Sequence, residues 1–174
     1  MSTISEERYV LDANAFIQAK RRFFGLDFCP GDWRALIWHQ QQGRLCSIDK
    51  VQHELSRGGD DLSDWVEQQL GATAFTTTST PEVAAVYGQM LAWVIAQSQF
   101  LDSAKAEFQQ VADGWLAAFA KANNYIVVTL EEFDPLVRKK VPLPNVCRAF
   151  DVETITPFEM LRRLGVRLDW QSPA

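Results

Sequence analysis

Tyr9-Val10-Leu11-Asp12-Ala13-Asn14-Ala15-Phe16-Ile17 decides how the rest of the chain is read. Three successive apolar residues, with no polar alternation, mark a strand covered on both faces, as in a parallel sheet. Ala13, Ala15 and Phe16 then read as the entry to a helix, so the Asp12 carboxylate stands where strand becomes helix. In open α/β sheets, ligands gather at the carboxyl ends of the strands. Asp12 is therefore a candidate metal ligand, against the plainer alternative of a helix cap that satisfies free backbone donors. Asn14 either orients Asp12 or a bound water, or caps the same helix.

The chain of 174 residues reads as one domain over 1–174, with a loose tail at 170–174. Hydrophobic residues make up 47% and charged residues 22%, the balance of an ordinary globular protein rather than a disordered one. Cys29, Cys46 and Cys147 form no CxxC pair, and His39 and His53 are the only imidazoles, which argues against a structural zinc site. The short polar start lacks the apolar core of a secretory signal, so a cytoplasmic location is expected. The longest apolar region, 83–96, is interrupted by Tyr87, Gly88 and Gln89 and is shorter than the roughly 20 residues a bilayer requires, so no membrane association is expected. A net charge of −5 excludes a general nucleic-acid coat protein, because nonspecific binding is driven by Lys and Arg. It does not exclude a nuclease whose clustered carboxylates are neutralised by divalent cations.

Strand and helix signals alternate along the chain. After the first strand, helices are expected at 15–20, from Pro30 to Gly43, at 49–55 and at 61–70, with a strand at 45–48. Residues 73–78 have β propensity, and Pro81 opens a long core helix reaching about residue 97. Helices at 103–111 and 113–122, a strand at 125–129, then helix, strand and helix at 145–150, 152–155 and 157–164 complete the pattern. This alternation predicts a three-layer α/β/α sandwich with a central, mostly parallel sheet. The tryptophans sit mostly at core spacings, while Phe23-Phe24 is a candidate for base stacking.

Four segments, in order, resemble a PIN domain: the strand ending in Asp12-x-Asn14, Val51-x-x-Glu54-Leu55, Asp113-x-x-Leu116-Ala117-x-x-Ala120, and Val127-Val128-Thr129-x-Glu131. The stretch Pro142-Leu143-Pro144-Asn145-Val146-Cys147, running on to Thr156-Pro157-Phe158-Glu159-Met160-Leu161, resembles a bacterial PIN-like subgroup of unknown function, similar to VapC-type toxin ribonucleases. The resemblance implies an acidic cluster at the carboxyl edge of the sheet, made of Asp12, Glu54, Asp113 and Glu131. Glu131 is chosen over Glu132 because its spacing from Thr129 matches the family pattern, although relatives more often carry Asp or Asn there. Thr129 would hydrogen-bond a ligand or simply favour the strand. The long interval between Glu54 and Asp113 leaves room for an additional helix at one end of the fold.

Carboxylates alone, without Cys or His, suit Mg²⁺ or Mn²⁺, hard cations that prefer oxygen. Such ions activate water and stabilise phosphoryl charge in phosphodiester hydrolysis. Crowded like charges predict a raised pKa for at least one acid in the metal-free protein. Lys20-Arg21-Arg22 and Arg138-Lys139-Lys140 flank these acids in sequence, and Lys20, Arg21, Arg138 and Lys139 are the candidate phosphate contacts. The family reading implies an endoribonuclease toxin with an RNA substrate, a cognate antitoxin and a possible homodimer. Two other readings remain: a noncatalytic PIN-fold binding module, and a phosphatase using Asp12 as nucleophile, for which Asn14 is a poor acid.

Overall fold

The computed structural model describes residues 7–169; the tail expected at 170–174 lies outside them. The five-stranded sheet has the order β3-β2-β1-β4-β5, from β1 (Tyr9–Leu11), β2 (Leu45–Ile48), β3 (Phe75–Thr76), β4 (Ile126–Val128) and β5 (Thr154–Ile155). Every pairing is parallel, with Val10 opposite Cys46 on one side and Val127 on the other. All three residues of β1 are buried, as required of a central strand with helices over both faces. The α/β sandwich expected from the alternation is therefore the observed architecture.

The helices of the described region are α1 (Ala13–Gln18), α2 (Pro30–Gln41), α3 (Asp49–Ser56), α4 (Asp61–Trp65), α5 (Pro81–Ala96), α6 (Asp102–Phe108), α7 (Asp113–Asn123), α8 (Leu143–Ala149) and α9 (Pro157–Arg163). None is long and apolar enough to cross a membrane. Helix α7 packs against β2, β4, α5 and α8, and its Gly114 explains the close fit. A Cβ there would lie 2.8 Å from Tyr87 and 3.0 Å from Phe108.

Several boundaries differ from the sequence reading. Helix α1 begins at Ala13, two residues early, and runs into a π-helical turn over Ala19–Phe23; the helix expected at 61–70 likewise ends in a π-helical turn over Val66–Leu70. The β-prone segment at 73–78 yields only the two residues of β3, because Thr77 and Thr78 turn to bind the Asp49 carboxylate. Helix α5 is not buried all round: Val83, Met90 and Val94 face the core, while Ala84, Ala85, Gly88, Gln89, Ala92 and Ile95 are exposed. Helix α8 starts two residues before the expected Asn145, with Pro144 in its first turn, where a missing N–H costs nothing.

Candidate active site

The strand order reverses direction at β1: β2 lies on one side and β4 on the other, which opens a crevice beyond their carboxyl ends. Asp12 follows β1 and Thr129 follows β4, so the two meet across that crevice. The Thr129 hydroxyl donates to Asp12 Oδ2 at 2.8 Å and accepts from the Glu131 backbone N–H at 3.1 Å. Both Asp12 and Thr129 are 2% exposed. Asp12 occupies the cap position of α1, where the Asn14 backbone N–H draws its carboxyl down although no capping hydrogen bond of full geometry forms, so capping and ligand roles fall on the same carboxylate.

The other acids arrive from separate elements. Glu54 rides on α3 beside the buried Val51 and Leu55, and its Oε1 accepts the Ala112 backbone N–H at 3.1 Å, which ties α3 to the start of α7. Asp113 is the first residue of α7, half-buried, and Ala112 rather than Asp113 is the cap residue. Glu131 accepts the Leu143 N–H at 3.0 Å through Oε2 and forms an ion pair with Lys140 through Oε1. The Pro-Leu-Pro-Asn motif explains this placement. Its Leu143 N–H opens α8 and is free to bind Glu131, and Asn145 clips the same loop through both amide groups, accepting from Asp134 N (3.1 Å) and donating to Asp134 O (2.7 Å).

Asp12, Glu54, Asp113 and Glu131 line one cavity of about 190 Å³, together with Asn14, Glu107 and Lys140. Glu132 does not line it and is exposed, so geometry favours Glu131 of that pair. Burial, with the charges of Glu131 and Glu54 behind it, pushes Asp12 up to about 6 despite the Thr129 hydrogen bond. Burial and the neighbouring Asp12, Glu131 and Glu54 charges push Asp113 up to about 8, against the pull of Lys140. In both acids burial is the first cause of the rise and the neighbouring carboxylates add to it. Burial would lower Lys140, but its pairing with Glu131, with Asp113 and Asp12 nearby, holds it above the ordinary lysine value.

Whether these residues fit a divalent cation has a divided answer. The donor set is all carboxylate, the chemistry such ions take, and its charge is undercompensated. Among the described residues, however, no three His, Cys, Asp or Glu side chains are already gathered tightly enough to hold an ion. Glu131 is held by Lys140 and Leu143, and Glu54 by Ala112. The fit is one of chemistry and place, with Asp12 and Asp113 as its centre.

The basic candidates separate. Lys20 is bound to Asp60 at 2.7 Å and also to Asp61, so its charge is already spent within the fold. Arg21, Arg138 and Lys139 are exposed and line none of the cavity. Lys140, passed over among the candidates although it ends a basic run, is the one that enters; the buried Val141-Pro142-Leu143 beside it was the available signal. Glu107, on the exposed side of α6, gave no sequence signal. Asp49 also follows a strand, but Thr78 and Lys50 oppose the effect of its burial and hold it below the usual carboxylate range, as befits a structural acid.

The chain thus combines a parallel α/β sheet with an acidic crevice at the carboxyl ends of its central strands. Residues 9–168 match the family described as Domain of unknown function (DUF4411), and the chain belongs to that family. No curated protein matches it by sequence. Among solved structures it is similar to the crystal structure of FitAcB from Neisseria gonorrhoeae, at 20% identity and a TM-score of 0.56, over 86% of this chain and 98% of that one. It is also similar to the crystal structure of VapBC2 from Rickettsia felis bound to a DNA fragment from their promoter, at 12% identity and a TM-score of 0.53, over 85% and 97% of the two chains. At these identities the likeness establishes the fold.

Proposed function

We propose that this protein is a metal-dependent endoribonuclease, the toxin of a bacterial toxin–antitoxin pair, using Mg²⁺ or Mn²⁺. The observation that carries the reading is the meeting of Asp12, Glu54, Asp113 and Glu131, from four separate elements, in one cavity at the switch point of the sheet. A bound divalent cation would supply an activated water and charge stabilisation at the phosphoryl oxygens. Asp12 and Asp113 would hold it, with Glu131 and Glu54 completing the oxygen set. Thr129 fixes the Asp12 carboxylate and, through the Glu131 backbone, the loop beside it. Lys140 balances charge in the same cavity and is placed to meet a phosphate oxygen. The antitoxin and a homodimer belong to this reading through the family likeness, as does RNA as substrate.

The test is cleavage of single-stranded and structured RNA with Mn²⁺ by the wild type, Asp12→Asn and Asp113→Asn. Metal-dependent cleavage lost in both variants is expected; activity retained in both would end the proposal. A noncatalytic PIN-fold module is the second reading, favoured by the Lys140–Glu131 pair and the looseness of the acids. It predicts no rise in melting temperature at millimolar Mn²⁺, whereas a working site raises it by linkage.

A further inference from the structure

Among the described residues, Lys140 is the only basic side chain lining the acidic cavity, and the loop that carries it is fastened along its course. Asp134 Oδ1 accepts the N–H groups of Leu136 at 2.8 Å and Val137 at 3.1 Å, while Asn145 grips the Asp134 backbone. Further on, the Val137 carbonyl accepts the Gln99 side-chain amide at 2.8 Å and the Arg138 carbonyl accepts the Leu101 N–H at 2.9 Å, both from the segment between α5 and α6. The buried Val141 closes the run. Between these anchors Arg138 and Lys139 stay outside and Lys140 reaches in, so its entry is set by the backbone rather than by the free swing of a surface lysine.

Inside the cavity the ammonium occupies ground that a cation would otherwise claim. It pairs with Glu131 Oε1 and is close enough to feel the charges of Asp113 and Asp12. The Glu131 side chain is 13% exposed and that of Lys140 51%, so a charge carried in from the rim meets an acid that is already fixed. Leu143 N–H takes the other Glu131 oxygen at 3.0 Å. Both oxygens of Glu131 are therefore engaged. Glu54 gives Oε1 to the Ala112 N–H, and Asp12 gives Oδ2 to the Thr129 hydroxyl. The deep oxygens left for an ion are those of Asp113 and the second oxygens of Glu54 and Asp12, with Glu107 on the exposed rim.

Two divalent ions that clamp the attacking and leaving oxygens of a phosphoryl group stand about 4 Å apart and divide the carboxylates between them. Here the division fails on the Glu131 side. An ion there would have to displace both Lys140 and the Leu143 N–H, or else take an ammonium as its neighbour and share one acid with it. The oxygens that remain suit a single hard ion of the kind that keeps several of its own waters.

We propose that Lys140 holds the place of a second divalent ion, so that the centre takes one. Asp12, Asp113 and Glu54 face that ion, while Glu131 serves as the seat of Lys140. An ammonium has donors to spare beyond the one given to Glu131, and these meet the phosphoryl oxygen that a second ion would otherwise meet. This deepens the nuclease reading and rests on it for the phosphate; the number of ions rests on the carboxylates and the lysine alone.

The test is the Mn²⁺ stoichiometry of the full-length chain up to millimolar ion, read from the electron paramagnetic resonance of free Mn²⁺ and from titration calorimetry, with RNA cleavage measured beside it. The proteins are wild type, the charge-keeping Lys140→Arg, and two neutral variants, Lys140→Met and Lys140→Gln. Wild type and Lys140→Arg should bind one ion, and the neutral variants two. Two ions in wild type would overturn the assignment, as would one ion in a neutral variant whose circular dichroism matches wild type. One ion in wild type and two in the neutral variants, with RNA left uncut by all, would keep the place of Lys140 and overturn the nuclease reading. No ion bound by any of them would overturn both.

Discussion

Asp12 and Asp32 are buried to the same extent, each 2% exposed, and burial pushes both carboxyls up to about 6. What surrounds them differs. Asp32 sits in the first turn of α2, where the helix amides tolerate negative charge, and burial is the whole cause of its shift. Asp12 stands at the switch point of the sheet, feels the charges of Glu131 and Glu54, and is fixed by Thr129 from the neighbouring strand. A perturbed carboxyl thus identifies a buried acid, and only convergence with other acids around a cavity identifies a place for chemistry.

The largest expected effect separates the two directly. Asp12→Asn should lower Mn²⁺-dependent cleavage by more than the roughly 10–100-fold that loss of an outer partner costs a metal site. Asp32→Asn should leave single-turnover cleavage within about twofold of wild type and stabilise the fold in denaturant melts, because it removes a buried carboxylate. Equal losses in both variants would break the contrast.

Thr129→Val sharpens it. The isosteric change removes the donor to Asp12 Oδ2 and the acceptor for the Glu131 N–H. It should cost about 1–3 kcal/mol of stability and weaken Mn²⁺ binding about 10–100-fold, read by denaturation and by titration calorimetry. Unchanged metal affinity would reduce Thr129 to a strand residue.

The smallest effect is on pH dependence. Asp12, Asp32 and Asp113 all have folded values above the ordinary 3.8, so their favourable contribution is complete below about pH 4 and is lost as pH rises through about 6 for the first two and about 8 for Asp113. The melting temperature of the metal-free protein should therefore drift down over that window for these groups. Mn²⁺ should cancel the part due to Asp12 and Asp113, and Asp32→Asn should cancel the remainder. A metal-insensitive pH profile would mean that the paired acids do not bind the ion.

Much of this was legible because it was local. Unbroken apolar triplets announced buried parallel strands, and the alternation with helices fixed their class. Asp12, Glu54, Asp113 and Glu131 were found through family spacing, and all four line the cavity. The misses came from tertiary contacts. No periodicity reveals that Lys20 meets Asp60 and Asp61, forty residues away, or that Lys140 rather than its two basic neighbours turns inward. Helix α5 looked like a core helix because Ala and Gly count as apolar even when exposed. Helix α3 was read for Glu54 alone, although Lys50, His53 and Arg57 line the hollow beside it together with Asp49 and Glu54.

The hydrogen bond from Thr129 to Asp12 joins residues 117 positions apart. A chain emerging from the ribosome exposes Asp12 more than a hundred residues before Thr129, Glu131 and the Leu143 amide that secures Glu131. Unfinished or truncated translation products ending before this region therefore lack an assembled centre. The acidic cluster therefore assembles only after a growing peptide has passed Leu143, however early Asp12 is made.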